Sequence, residues 1–299
     1  MEVSPLLIAT TSFTVIVFSL AIGLDTTWRA AEALIRNPRA VLVGVIGQYI
    51  ILPAIGVAVV IGLSLPVEIG FGLLILASAP GGTLSNALVY LMRGDTMLSV
   101  ILTSISSLAS PLSMATILTL TTALTYGQTD TIVAPFLQTF LTLIVLVFIP
   151  LLAGYGLKAI WKNAHIVLKP WLDRSGGLGL VITVTMIVWI NIDLLLKNLM
   201  ASLPAAALLI FSAGFIAWLL TRTAGLGRKQ TTAILFEVGL QNIALATIVA
   251  VQVLQNPQLA VFPVVYGCVS LVAFLPATFY MRAQGDRASK RINKENQHV

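Results

Sequence analysis

The feature that most constrains this sequence is a series of nine long apolar runs separated by short charged or polar connections. The runs occupy residues 5–24, 40–63, 69–92, 98–121, 132–157, 178–196, 203–221, 231–254 and 259–281. Most are close to the ~20 residues that an α-helix needs to cross the hydrocarbon core of a bilayer. Lipid offers the backbone no hydrogen-bond partner, so each run is predicted to be helical. We therefore expect an all-α polytopic membrane protein with nine transmembrane helices.

The balance of side chains excludes a soluble fold. Hydrophobic residues make up 58% of the 299 residues and charged residues only 9%, against about 25% charged residues in a typical soluble domain. A soluble domain could not hide so much apolar surface from water. The net charge is +6. We attribute this excess of basic residues to the cytoplasmic loops of a membrane protein rather than to a nucleic-acid interface. The predicted surroundings are therefore a lipid bilayer, with no nucleic acid and no obligate protein partner.

The basic residues alternate between the connections. All but one of the 17 Lys and Arg residues lie in the first, third, fifth and seventh connections or in the tail 282–299, and only Lys197 lies in an even-numbered connection. Because basic loops stay in the cytoplasm, the N-terminus is predicted outside and the C-terminus, with the basic tail 282–299, in the cytoplasm. The predicted location is the inner (plasma) membrane of the cell.

One acidic residue lies inside an apolar run. Glu237 is in the eighth run, whereas the rest of the 11 acidic residues lie in connections, tails or span ends. An ionised carboxylate at membrane depth costs at least ~2.5 kcal/mol, and no Lys or Arg lies at matching depth in any run. The predicted partner of Glu237 is therefore a mobile cation, either a metal ion or a proton. A protonated glutamate with a purely structural role is the alternative.

Two runs carry helix-breaking residues near their middle. The third contains PGGTLSN at 80–86, where proline removes a backbone hydrogen bond and clashes with the preceding turn. The eighth contains EVGLQN at 237–242, where glycine weakens the helix and amide side chains compete for backbone groups. We expect a break in both, with free N–H groups near Thr83 and free carbonyls after Glu237. A kink that only shapes packing is the alternative for the third run.

The two interrupted runs also resemble each other. TLSNAL at 83–88 aligns with GLQNIAL at 239–245 on Leu-(Ser or Gln)-Asn, and the predicted spans run in opposite directions. Two interrupted helices of opposite direction are typical of inverted-repeat transporters. The first four spans then match the last four in order, and the fifth is left unmatched.

Polar groups on neighbouring runs favour a hard cation. Ser99, Thr103 and Ser106 follow i, i+4, i+7 spacing on the fourth run, and Gln48 lies in the middle of the second. Hydroxyl, amide and carboxylate oxygens, with no thiol or imidazole, favour an alkali or alkaline-earth ion over zinc, copper or iron. A single carboxylate suits a monovalent ion better than calcium.

The segments 80–86 and 237–242 together resemble the two crossover motifs of the bile acid:sodium symporter family, and the resemblance runs through most of the chain. It implies two crossing broken helices within a single membrane domain. A core would come from about 40–121 and 203–281, and a panel from about 5–24 and 132–196. The chain is similar to the nine-helix bacterial form that lacks the first helix of ten, which accounts for the unmatched fifth span.

The resemblance also implies the site residues and two coupling sodium ions. One sodium site would use Ser85, Asn86, Ser99, Thr103 and Glu237. The other would use Gln48, Glu237, Val238, Leu240 and Gln241, with Val238 and Leu240 acting through backbone carbonyls. The substrate would bind beside the crossover, at Thr83, Leu84, Asn242, Tyr266 and Ser270.

The predicted function is a sodium-coupled symporter that imports a small organic monoanion, with a carboxylate expected, by alternating access. A proton-coupled carrier or a sodium/proton antiporter, in which Glu237 titrates, is the alternative within transport. An enzyme is not expected, because there is no nucleophile–base pair or cofactor motif, and His165 and His298 lie in predicted cytoplasmic segments. A sensor that does not transport is a further alternative, although no appended signalling domain is recognised.

Overall fold

The computed structural model describes residues 4–26, 38–127, 134–274 and 276, and its regular elements within these ranges are helices. In chain order they are α1 (Pro5–Asp25), α2 (Pro38–Gly62), α3 (Val67–Ser78), α4 (Thr83–Leu91), α5 (Thr96–Tyr126), α6 (Phe136–Ile160), α7 (Lys169–Ile190), α8 (Ile192–Thr223), α9 (Arg228–Gly239), α10 (Ile243–Val253) and α11 (Pro257–Phe274). A short helical turn, Ala164–Val167, lies between α6 and α7.

Seven of the described helices are long and apolar enough to cross a membrane, namely α1, α2, α5, α6, α7, α8 and α11. Two shorter helices occupy each of the remaining predicted runs, α3 with α4 and α9 with α10. At 1.5 Å per residue each of these short helices is roughly 13–18 Å long, about half of the hydrocarbon core. The prediction of an all-helical, polytopic membrane protein is confirmed, whereas the count of nine spans and the inverted repeat stay predictions.

One half of each interrupted helix lies in the interior of the bundle. Every residue of α3 from Ile69 to Ser78 is buried, and so is most of α10. In contrast, α7 buries only Gly176, Gly179, Thr183 and Ile187 along its length. Irregular backbone is tolerated at membrane depth only where protein surrounds it, and this arrangement keeps both breaks away from lipid.

The helices pack in two sets of neighbours that also contact each other. Helix α1 packs against α6 and α7, whereas α9 packs against α4, α5 and α8, and α3 lies against α2 and α5. Helix α5 also packs against α6, and α1 against α10, so packing does not separate the predicted panel from the predicted core. The division into two moving parts stays a prediction, because packing alone does not define motion.

One predicted connection lies in a different place. The sequence places it after residue 196, but α7 ends at Ile190 and α8 begins at Ile192, so Lys197 lies inside a helix. Asn191 has non-helical backbone angles, and its side chain donates to the Ile187 carbonyl at 3.0 Å. Hydropathy does not reveal this boundary, because apolar residues continue on both sides of a single asparagine.

The start of α7 also differs from the prediction. The helix begins at Lys169, nine residues before the predicted run. Its first turn tolerates charge because Lys169 Nζ lies 2.6 Å from Asp173 and 3.3 Å from Asp25 at the end of α1. The predicted orientation depends in part on basic residues of the first connection and the tail. Arg29, Arg36 and residues 282–299 lie outside the described ranges, so the orientation stays a prediction.

Candidate functional site

The two helix breaks lie against each other. Gly81 and Gln241 form an isolated antiparallel bridge. The Gly82 N–H donates to the Leu240 carbonyl at 3.0 Å, and the Asn242 N–H donates to the Pro80 carbonyl at 3.0 Å. Each break thus satisfies backbone groups of the other that lipid could not satisfy. We call this paired region, residues 79–82 and 238–242, the crossover.

Close approach of a carboxylate explains the glycine at position 81. A Cβ atom there would overlap the side chain of Glu237, so no larger residue fits without displacing the carboxylate. Pro80 lies directly before it and has no N–H to continue the helix, and α3 ends at Ser78. The proline and glycine therefore do two things: they end the helix and admit Glu237 to the crossover.

Glu237 lies in the last turn of α9 and is 1% exposed. Ser85 Oγ donates to its Oε2 at 2.8 Å, and Thr103 Oγ1 lies 2.9 Å from both carboxylate oxygens. Asn86 Oδ1 extends the group, at 2.6 Å from Ser99 Oγ and 3.2 Å from Thr103 Oγ1. The structure therefore brings together all five residues predicted for the first sodium site, which we call the carboxylate cluster.

The carboxylate cluster has the chemistry of a cation site. The hydroxyls of Ser85, Ser99 and Thr103 can each donate one hydrogen bond. The side-chain atoms that they contact in the cluster are oxygens of Asn86 and Glu237. In the described part of the chain no Lys or Arg acts on Glu237 as a charge partner, whereas Lys169 pairs with Asp25 and Asp173 far from the cluster in sequence. The C-terminal end of α9 adds the negative end of a helix dipole. Such a set of oxygens suits a hard monovalent cation, or a proton on the carboxylate.

A second group of polar atoms also lies at the crossover. Gln48 Nε2 donates to Gln241 Oε1 at 2.8 Å and lies 2.7 Å from the Ala79 carbonyl. Gln241 Nε2 in turn donates to the Val238 carbonyl at 2.7 Å. We call these two side chains and two carbonyls the amide cluster. The Leu240 carbonyl, also predicted for the second sodium site, accepts the Gly82 N–H described above.

Sequence reasoning missed the local geometry that carries Gln48. Residues Gly47–Ile51 form a π-helical segment within α2, and Pro53 follows it closely. A second π-helical segment, Ile144–Phe148, precedes Pro150 at the same spacing. Proline lacks an N–H, and membrane helices adjust locally by π-type hydrogen bonding to compensate. A proline inside an apolar run is the signal that could have predicted these segments, since each ends two residues before one.

The residues predicted to bind substrate fall into two groups. Thr83 and Asn242 are half-buried, and Leu84 is 38% exposed, so these three lie at an accessible edge of the crossover. Tyr266 and Ser270 are buried. The Tyr266 hydroxyl donates to the Gly239 carbonyl at 2.9 Å, and the Ser270 hydroxyl donates to the Gly267 carbonyl of its own helix at 2.9 Å.

Comparison with known proteins gives the family. The sequence model of the Sodium Bile acid symporter family matches residues 12–198. An uncharacterised sodium-dependent transporter of Bacillus subtilis, YocS, is 30% identical over 238 residues, which cover 76% of this chain and 70% of that protein. The sodium-dependent organic anion transporter of Mus musculus is 30% identical over 216 residues, which cover 71% of this chain and 56% of that protein.

A plant relative is similar over more of this chain. The protein named "Probable sodium/metabolite cotransporter BASS1, chloroplastic" of Arabidopsis thaliana is 27% identical over 242 residues, covering 81% of this chain and 59% of that protein. The chain thus spans less than two thirds of the length of the plant and mouse relatives. All three relatives are named as transporters or cotransporters, and the prediction that the chain is not an enzyme is confirmed. The chain belongs to the sodium bile acid symporter family, a family of sodium-dependent membrane transporters.

Proposed function

We propose that this protein is a sodium-coupled symporter that imports a small organic monoanion, with a carboxylate as the expected substrate, by alternating access. The observation that carries the proposal is the carboxylate cluster, in which a fully buried Glu237 is surrounded by hydroxyl and amide oxygens. Membership of a family with sodium-dependent members supports sodium as the coupling ion.

The first sodium ion would bind in the carboxylate cluster. The hydroxyls of Ser85, Ser99 and Thr103 can turn their hydrogens away and offer lone pairs to an ion. The Asn86 carbonyl oxygen and Glu237 would complete an all-oxygen set with one formal negative charge. One charge balances one sodium ion, which avoids leaving an unpaired charge at membrane depth.

The second sodium ion would bind on the amide side of the crossover, with Gln48, Glu237, Val238, Leu240 and Gln241 as ligands. The Val238 and Leu240 carbonyls each accept one hydrogen bond, and each oxygen has a second lone pair that could face an ion. Glu237 would be shared between the two ions. In this arrangement the second ion must compete with hydrogen bonds that the amide cluster already makes.

The substrate anion would bind at the accessible edge formed by Thr83, Leu84 and Asn242. Helix α4 begins without a side-chain cap, so its positive end can attract an anion. Asn242 Oδ1 already accepts the Leu245 N–H at 3.0 Å, so the group it has left is an N–H donor, which suits a carboxylate. Tyr266 and Ser270 stay in the predicted substrate set only as predictions, since each hydroxyl already donates its hydrogen to a backbone carbonyl of the protein.

The proposed cycle moves the core helices against the panel helices. The protein would cross the inner (plasma) membrane of the cell nine times, with its N-terminus outside and its C-terminus in the cytoplasm. Several polar contacts join the proposed parts, among them the bond from Gln138 Nε2 to the Val253 carbonyl at 3.1 Å. Gln252 Nε2 donates to the Ile8 carbonyl at 3.0 Å, and the Thr26 and Ser104 hydroxyls lie 3.1 Å apart. A hydrogen bond of this kind has a net worth of only about 1 kcal/mol, which suits contacts that break and reform in each cycle.

Uptake into proteoliposomes tests the proposed coupling. A radiolabelled monocarboxylate library would be offered with an inward gradient of sodium, of potassium or of protons, at the same membrane potential. Uptake that needs sodium supports the symporter. Uptake driven equally by potassium would refute sodium coupling, and uptake driven by protons alone would favour the alternative in which Glu237 titrates.

A bulky residue at position 83 tests the substrate edge. Thr83→Phe places a ring at the start of α4, where the anion would bind, and should weaken substrate affinity by at least about tenfold through steric exclusion. Sodium-dependent thermal stabilisation should be unchanged, because Thr83 is not a member of either cluster. Loss of sodium stabilisation together with substrate affinity would instead show that the variant distorts the crossover.

A further inference from the structure

We infer that Tyr266 is a positioning residue of the proposed sodium sites, which fixes the backbone between Glu237 and Gln241 without touching an ion. The inference rests on the proposed function. Its starting point is one contact: the hydroxyl of Tyr266, a fully buried residue of α11, donates to the Gly239 carbonyl at 2.9 Å. Gly239 is the last residue of α9, two positions after Glu237.

The carbonyls at the end of α9 have no partners within the helix and must find donors elsewhere. Three consecutive carbonyls find them in three different elements. Val238 accepts from Gln241 within the crossover, Leu240 accepts from Gly82 of the other break, and Gly239 accepts from Tyr266. The phenol therefore satisfies the one carbonyl of this group that the crossover itself does not satisfy.

Loss of that donor would free a specific peptide plane. The Gly239 carbonyl and the Leu240 N–H belong to the same planar unit, and the Leu240 N–H donates to the Phe236 carbonyl at 3.0 Å. Turning this unit would therefore disturb the last hydrogen bond of α9, directly beside Glu237. Glycine has no Cβ to restrict such rotation. A buried carbonyl without a donor would turn to find one, and the backbone between Glu237 and Gln241 would lose its fixed geometry.

Helix α11 contacts both helices that flank the break between α9 and α10. Gly267, the residue after Tyr266, lies so close to α10 that a Cβ there would overlap the Ile243 side chain. The Tyr266 ring is itself held by Phe262, with 6.4 Å between ring centroids. Because α11 packs on the start of α10 and bonds to the end of α9, it spans the break and keeps its two ends at a fixed separation.

The test compares two tyrosine variants in the full-length protein. Tyr266→Phe removes only the hydroxyl and keeps the ring, and Tyr126→Phe is the matched control, since the Tyr126 hydroxyl is buried without a hydrogen-bond partner among the described residues. Thermal unfolding in detergent would be measured over a range of sodium chloride, with choline chloride holding ionic strength constant. For Tyr266→Phe the sodium concentration that gives half-maximal stabilisation should rise about tenfold, the effect of losing one buried hydrogen bond. Tyr126→Phe should match the unsubstituted protein.

The outcomes separate this inference from the proposed function. If sodium stabilises the unsubstituted protein and Tyr266→Phe responds at the same sodium concentrations, Tyr266 does not position the site and the inference is overturned. The same holds if Tyr266→Phe only lowers stability without sodium. If sodium fails to stabilise the unsubstituted protein, the proposed function fails instead. Should Tyr266→Phe not survive purification, sodium-dependent uptake in membrane vesicles gives the same half-saturation without detergent.

Discussion

The carboxylate cluster and the amide cluster both lie at the crossover and differ in how their polar atoms are satisfied. The carboxylate cluster carries a formal charge, and its oxygens share only three hydroxyl hydrogens. The amide cluster is neutral, and its Nε2 groups already donate to side-chain and backbone oxygens at 2.7 to 2.8 Å. One cluster requires a cation or a proton to balance it, and the other is balanced by its own hydrogen bonds.

This difference predicts an order of binding. A sodium ion in the carboxylate cluster neutralises a buried charge, and the removal of such a charge partner is worth several kcal/mol. A sodium ion in the amide cluster must first displace hydrogen bonds whose net worth is about 1 kcal/mol each. We therefore propose that the first ion binds tightly in the carboxylate cluster and that the second binds more weakly and later.

The largest effect is expected from Glu237→Gln. This variant keeps the shape of the side chain and removes its charge, so both proposed ions lose their only anionic ligand. Sodium affinity should fall at least about 100-fold, since an unpaired buried charge costs ~3 kcal/mol or more. Sodium-dependent thermal stabilisation and sodium-dependent uptake should both disappear, whereas the protein should still fold.

Glu68→Gln is the matched control, because Glu68 is a half-buried acid in the first turn of α3 and belongs to neither cluster. It should leave the sodium response unchanged. Undiminished stabilisation of Glu237→Gln by sodium would remove Glu237 from the site and would abolish the contrast between the clusters.

A smaller loss is expected from Thr103→Val. The hydroxyl of Thr103 contacts both oxygens of Glu237, and valine replaces it with a methyl group of similar size. Loss of one ligand should weaken sodium stabilisation about tenfold, by ~1–2 kcal/mol. Thr183→Val is the control, because Thr183 has a buried hydroxyl without a partner in the described structure. Equal sodium responses of the two variants would show that Thr103 only supports packing.

Gln241→Met should separate the clusters. Methionine fills a similar volume and removes the amide that links Gln48 to the Val238 carbonyl. If the weaker ion binds there, the sodium concentration that gives half-maximal thermal stabilisation should shift by less than about fivefold. The reason is that the tighter ion, in the carboxylate cluster, supplies most of the stabilisation. Uptake should fall more strongly, and its sodium dependence should lose its sigmoidal shape.

Gln138→Met is the control for this variant, because Gln138 Nε2 donates to the Val253 carbonyl, outside the crossover, at 3.1 Å. Its sodium dependence should keep its shape. If Gln241→Met lost stabilisation as severely as Glu237→Gln, the two clusters would act as one site and the proposed order of binding would be wrong.

The sequence predicted the helix breaks well and the contacts between them poorly. Pro80, Gly81 and Gly82 predict where α3 ends, because backbone chemistry at one position decides it. The pairing of Gly82 with Leu240 and of Pro80 with Asn242 depends on how two distant helices meet, and no local pattern records it. The family resemblance named the cluster residues, but neither it nor the residues indicated that Gln48 and Gln241 bond to each other.

Other misses have local causes. The boundary at Asn191 was not predicted, because one polar residue hardly lowers the hydropathy of its surroundings. The donation from Tyr266 to Gly239 was not predicted either, because it depends on the packing of α11, and the place of Tyr266 in the substrate site stays a prediction. Sequence patterns predict helices from short-range chemistry, and hydrogen bonds between helices require their relative positions.

Charge movement provides the smallest signal, one elementary charge per cycle, and it depends directly on whether the amide cluster holds an ion. With Glu237 ionised, the site without ligands carries one negative charge. Two sodium ions and one monoanion bring it to neutral, so the loaded carrier crosses uncharged and the unloaded carrier returns with one negative charge. If only the carboxylate cluster binds sodium, the loaded and unloaded carriers carry the same charge and the cycle moves none.

Current recorded from proteoliposomes on a solid-supported membrane distinguishes these two cases. For a transported monoanion, the two-ion cycle predicts an inward current that needs both sodium and substrate, and an inside-negative potential of about 100 mV would add ~2.3 kcal/mol per cycle. If the Gln241→Met variant retains only the first ion, it should transport the monoanion with little or no current, because the charge of the one remaining sodium ion cancels the charge of the substrate. Uptake of a monoanion by the unsubstituted protein without current, and without response to an imposed potential, would contradict a second sodium ion in the amide cluster. A dianionic substrate provides the internal check, since two sodium ions then offset its charge and the current should disappear while uptake continues.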